Sequence, residues 1–175
     1  MSPGDVVLAD LRPPGDAPAR GELMVVKWLG KKDVVVIKRV IGLPGDRVQM
    51  TKGILVINGE AVTRQQIEDF VDPSGEHLSQ YIETLPGGVQ HRILERSDDG
   101  PLDNTDVYVV PADHWFGLGD NRDNSLDSRV LGTGGDPAPI GYIPPERTVG
   151  RIVYRLRPNA GWLVSPLTIP GLPPE

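Results

Sequence analysis

The sequence of 175 residues contains no cysteine, so neither a disulfide framework nor a thiolate metal site is available. Histidine is scarce as well. His77, His91 and His114 are scattered, with no pair at the helical spacing of a zinc motif, and each reads as a surface residue. No uncharged apolar run approaches the ~20 residues that a membrane-spanning helix needs. A basic excess is missing too. The net charge is −6 and the pI near 5.1, which removes the electrostatic footprint of a nucleic-acid binder. No internal repeat appears, and no Gly-x-Ser-x-Gly elbow supports a histidine-based serine triad.

What is abundant is punctuation. Gly 21 and Pro 18 together make 39 of 175 residues, roughly twice their usual share. That divides the chain into short strands and turns and argues against long helices. Strands are expected near 5–9, 23–28, 34–41, 46–50 and 54–57, followed by a tight turn at Asn58-Gly59 into Glu60-Ala61-Val62. Ile67 and Phe70 at helical spacing suggest one short helical turn over 64–70. Segments 72–79 and 97–105 read as exposed loops, with strands near 81–84, 89–95, 106–110, 114–118 and 147–157. Residues 132–141 read as a long surface loop, and the apolar, proline-broken tail 161–174 as an extended strap. The expected class is all-β.

Residues 119–129, Gly-Asp-Asn-Arg-Asp-Asn-Ser-Leu-Asp-Ser-Arg, carry three Asp, two Arg, two Ser and two Asn directly after the apolar run Trp115-Phe116-Gly117-Leu118. Opposite charges and short hydrogen-bonding side chains at this density suit a self-bonded loop that fixes side-chain positions, although an isolated loop of this kind is also compatible with a solvated turn. A calcium loop beginning at Asp123 fails. It puts Ser128 where the sharp turn needs Gly, and Gly134 where the last ligand should be Glu.

Residues 34–46 read Val-Val-Val-Ile-Lys-Arg-Val-Ile-Gly-Leu-Pro-Gly-Asp, a β-branched strand stopped by a turn. On a two-residue period Lys38 shares a face with Val34, Val36 and Val40, while Arg39 goes with Val35, Ile37 and Ile41. One of these cations can therefore sit on a buried face. Burial penalises the charged form of lysine and makes a neutral amine base accessible near physiological pH. The structural alternative is an edge-strand lysine that discourages aggregation.

Together the two stretches resemble the bacterial type I signal peptidases, serine endopeptidases with a Ser-Lys dyad. The lysine motif of that family is matched by 37–46 and its late motif by 119–129, in order and with the family's spacing. The resemblance extends to Arg20-Gly21-Glu22, to Gly4-Asp5-Val6-Val7 and to Val149-Gly150-Arg151. It implies coiled antiparallel sheets forming a catalytic core over 1–57 plus 106–175, with 58–105 as a variable β-rich insertion. It also implies that Lys38 is the general base and that Ser125 orients its amine. Asp127 and Arg129 match ion-pair residues that support the loop; Arg39 and Asp120 are further supporting candidates, with plain scaffolding as the alternative for all four. An extended peptide would pair beside Val35, Val36 and Ile37. Ile37 and Met1 match positions lining a shallow pocket for small side chains, as Ala-x-Ala secretory signals require.

The departure lies at the front. The family's nucleophile belongs to a Ser-Met-x-Pro-Thr motif just ahead of the Gly-Asp matched by Gly4-Asp5, so the alignment expects it before Met1; Ser2 falls on the wrong side of it. A shortened chain, a start codon assigned too late and a relative without a nucleophile all fit. The chain as given is then expected to be inactive. Partners implied are secretory preprotein signal peptides and the membrane surface, with no nucleic acid, cofactor or metal. The implied location is the extracytoplasmic face of the cell membrane, while the chain as given, lacking a spanning run, is expected to be soluble. A peptide-binding relative that does not cut, and a self-cleaving Ser-Lys repressor-type domain, are the other classes compatible with these motifs.

Overall fold

Runs of Val and Ile bounded by Gly, Pro and Asn become strands wherever side chains can be buried on at least one face. The computed structural model describes residues 6–11, 17–28, 34–72, 74–132 and 140–156. Among these the strands are β1 (Val6–Asp10), β2 (Leu23–Lys27), β3 (Val35–Gly42), β4 (Arg47–Thr51), β5 (Ile54–Ile57) and β6 (Glu60–Ala61), then β7 (Thr63–Val71), β8 (His77–Thr84), β9 (Gln90–Glu95), β10 (Tyr108–Val109), β11 (Phe116–Leu118) and β12 (Thr148–Leu156). The only helical elements among the described residues are single 3-10 turns at Arg122–Asn124 and Pro145–Arg147. The class is all-β, as the sequence predicts.

The strands form three antiparallel sheets, ordered β1-β12-β2-β3-β11, β10-β4-β5-β6 and β7-β8-β9. Strand β3 leaves the first sheet through a turn closed by Asp46. Its carboxylate accepts from the Leu43 N–H at 2.6 Å and from Asn58 Nδ2 at 2.8 Å, and pairs with Arg20 at 2.9 Å. The Asn58-Gly59 turn is present, with φ of 54° and 85°, the doubly positive geometry that selects this dipeptide between hairpin strands.

Two apolar clusters fill the interior. Ile41, Val48, Met50, Leu55, Tyr108, Phe116 and Leu118 belong to one; Met24, Val26, Val40, Trp115, Ile140 and Ile143 form the other. Val40 and Ile41 are neighbours on β3 and point to opposite faces, so this strand end is buried on both sides. That accounts for its unbroken apolar run.

Three sequence expectations are corrected. Residues 64–70 are strand, not a helical turn: the β7–β8 register shifts between Ile67 and Phe70, and this bulge brings residues three apart onto one face. Segment 72–79 is not all loop, because β8 begins at His77 and Leu78 is buried. His91 is buried rather than superficial. Met1, Ser2, most of loop 132–141 and the tail strap lie outside the described residues.

Candidate functional site

Lys38 is only 7% exposed, held by β3 on the face of Val36 and Val40. Its Nζ donates to Ser125 Oγ at 2.9 Å. Burial lowers the lysine pKa; Asp127 and Asp120 oppose that shift and Arg129 adds to it. The amine is therefore biased toward its neutral form. Both residues line a cleft with Leu23, Ile37, Arg39, Leu118, Gly119, Asp120, Asn121 and Asn124.

Ser125 is fixed by the loop around it. The Asp127 carboxylate accepts from the Gly119 N–H at 3.1 Å and from Arg129 Nε and Nη2 at 2.9 Å each, with both side chains fully buried. Ser128 Oγ accepts from the Gly117 N–H at 2.9 Å, closing the loop against β11. Arg39 forms a bidentate pair with Asp120, 2.8 Å on each arm; burial pushes the Asp120 carboxyl up, but the Arg39 pair prevails and holds it well below its usual range. Arg39 also donates to the Gly21 carbonyl at 2.7 Å, tying the Arg20-Gly21-Glu22 segment to the site. Within residues 119–129 Asp127 and Arg129 pair with each other, whereas Asp120, Ser125 and Ser128 are held by partners outside the loop.

Val35 is exposed, while Val36 and Ile37 are half-buried, and Ile37 reaches the cleft. Strand β11 pairs with β3 only from Arg39 to Gly42. Among the described residues no strand pairs with Val35–Lys38 on that side, which leaves an open sheet edge beside the lysine. Met1 falls outside the described residues.

Sequence reasoning missed the second charge layer behind the loop. Arg122, 1% exposed, forms a bidentate pair with Glu83 of β8, at 3.1 and 2.6 Å. His91 Nε2 stands 3.2 Å from the same carboxylate. Burial raises the Glu83 pKa, but Arg122 and His91 prevail and bring it down to about 2. Burial keeps His91 below its ordinary value. Arg122 belongs to a recognisable motif, but nothing local to Glu83 or His91 announces the partnership.

Fold and site define an all-β protein in which a buried lysine amine meets a serine hydroxyl in a cleft beside β3 and β11. The family described as "Signal peptidase, peptidase S26" matches residues 1–157, and the chain belongs to that family. It is 34% identical over 143 residues to proteins named signal peptidase I from Rickettsia canadensis (strain McKiel) and from Rickettsia prowazekii (strain Madrid E). Each match covers 78% of this chain and 51% of the relative, so the chain spans about half the length of these curated relatives. A solved signal peptidase I from Enterococcus faecalis V583 aligns with a TM-score of 0.43 and 22% identity, over 78% of this chain and 97% of that one.

Proposed function

We propose that this chain supplies the lysine side of a Ser-Lys peptidase site that removes signal peptides from secreted preproteins. The observation that carries the reading is the 2.9 Å contact of Lys38 Nζ with Ser125 Oγ, at a lysine whose burial favours the neutral amine. Neutral Lys38 takes the proton of an attacking serine as that oxygen adds to the scissile carbonyl, then returns it to the leaving amine. Ser125 aims the amine, and Asp127, Arg129, Arg39 and Asp120 hold Ser125 and β3 in register. In the family pattern the attacking serine belongs to the Ser-Met-x-Pro-Thr segment ahead of Gly4-Asp5. The open edge at Val35–Lys38 supports strand addition by an extended peptide, with Ile37 against a small side chain such as Ala. Residues 1–57 plus 106–175 serve as the peptidase core on this reading, and 58–105 as an insertion upon it. The membrane surface is the proposed place of work.

The test uses the polypeptide carrying that serine segment and a preprotein substrate. Lys38→Ala should abolish cleavage, and Lys38→Arg should not restore it, because a guanidinium stays protonated. Cleavage by the Lys38→Arg variant at parental rate would remove Lys38 from the base role. The parent's kcat should rise with pH as the amine loses its proton, along a single ionisation lying below the ordinary lysine value.

A further inference from the structure

Three carboxylates from separate segments converge away from the lysine. Glu95 ends β9, Asp103 lies in the loop that follows, and Asp123 sits in the 3-10 turn before Ser125. One oxygen from each lies within 4.8 Å of the others. Glu95 is 1% exposed and Asp103 fully buried. Among the described residues, neither oxygen of Glu95 nor Oδ1 of Asp103 receives a hydrogen bond. From these carboxylates we propose a binding site for a hard divalent cation, best matched by calcium, formed by Glu95, Asp103 and Asp123.

The neighbouring peptides hold the aspartates without saturating them. Asp103 Oδ2 accepts from the Gly100 N–H at 2.7 Å, which leaves Oδ1 to the cluster. Asp123 Oδ2 accepts from the Arg96 and Ser97 N–H groups at 2.7 and 3.1 Å. Gly100 leaves room for this approach: a Cβ there would stand 3.1 Å from Asp103 Oδ2 and 3.3 Å from Asp123 Oδ1. The arginines nearby are already matched with other carboxylates. Arg64 binds Asp98 at 2.9 Å and reaches Glu95 Oε1 only at 3.8 Å; Arg122 binds Glu83 and Arg129 binds Asp127. Carboxylates are therefore in excess at a cluster in which Glu95 and Asp103 are buried and Asp123 half-buried. An all-oxygen donor set without nitrogen or sulfur selects hard cations. Ligands drawn from three separate segments suit calcium, which accepts adaptable geometry at about 2.3–2.6 Å, better than magnesium, which demands near-ideal octahedral geometry at about 2.0–2.1 Å. No contiguous calcium-loop pattern betrays the site, since its ligands come from three segments. An ion here ties β9 and the following loop to the turn that leads into Ser125.

The test is calorimetric titration of the whole chain with calcium chloride after chelator treatment, with thermal midpoints in parallel. One saturable site per chain is expected, and a midpoint rise of about 5–10 °C at a hundred times Kd. Magnesium should bind at least tenfold more weakly. Glu95→Gln keeps the shape and removes a charge, so it should weaken calcium at least tenfold; Asp123→Asn, at a half-buried position, is the second variant should the first fail to fold. Asp99→Asn, exposed in the same loop, should leave affinity unchanged. Absence of saturable calcium binding by the parent overturns the proposal, and so does parental affinity in a folded Glu95→Gln or Asp123→Asn chain.

Discussion

Gly119→Ala probes the packing of the dyad directly. A Cβ at this buried position would stand 2.1 Å from Ser125 Oγ, 2.5 Å from Ser125 Cβ and 3.7 Å from Lys38 Nζ. Rotating the serine moves only its oxygen. The carbon–carbon contact still falls about 1 Å short of an ordinary separation of about 3.5–4.0 Å, so the backbone at 119 or 125 must yield. Overpacking of this kind costs about 1–3 kcal/mol, which lowers the thermal midpoint by about 2–12 °C for a chain of this size. The same shift breaks the 2.9 Å contact between Lys38 and Ser125. In the polypeptide carrying the attacking serine, turnover should fall on the order of 10²-fold. Ser125→Gly deletes both clashing atoms. Gly119→Ala should therefore cost little stability in the Ser125→Gly background, although cleavage stays impaired. If Gly119→Ala lowers the midpoint equally in both backgrounds, the serine contact is not the source and the reasoning fails.

The two loop serines should separate by readout: Ser125→Ala should lower turnover on the order of 10²-fold with an unchanged midpoint, whereas Ser128→Ala should destabilise by about 1–3 kcal/mol because it strips the acceptor from the buried Gly117 N–H. A thermal scan of each variant, alongside cleavage rates, checks both. Glu83→Gln removes the bidentate counter-charge of Arg122, which is 1% exposed, and should cost about 3–5 kcal/mol by denaturant titration. A loss below about 1 kcal/mol would mean that the pair is solvated. Acid stability follows from the same cluster. Glu83 has a folded pKa of about 2 against an ordinary 4.5, so its contribution is complete above 4.5 and disappears as pH falls toward 2. His91 is lowered in the fold, so protons taken up by the unfolded chain below about 6.5 begin the loss earlier. Glu95, whose folded carboxyl is raised by burial to about 8, gains stability as pH falls toward 4.5 and offsets the His91 loss, so denaturant midpoints should fall mainly below pH 4.5, and Glu83→Gln should flatten that fall.

What the sequence determined by itself was whatever short-range chemistry controls. The Val and Ile runs produced β2–β5 and β12 within a residue or two, because a pleated strand needs only alternation and a place to bury it. Asn58-Gly59 specified its own turn through the positive φ that both residues tolerate. The face shared by Lys38, Val36 and Val40 was legible for the same reason, and the placement of Lys38 beside Ser125 agrees with the two motifs that carry the family resemblance. Tertiary structure decided the rest. Ile67 and Phe70 imitate a helical period because a bulge, visible only once β8 is paired, restores them to one face. His91, Glu83 and Arg122 look like surface residues in any local window. Their burial depends on β8 and β9 packing behind the loop, and the price of desolvation is set by whichever opposite charges the fold delivers. Glu95, Asp103 and Asp123 obey the same rule: no spacing along the chain records that three carboxylates from separate segments will meet, two of them buried.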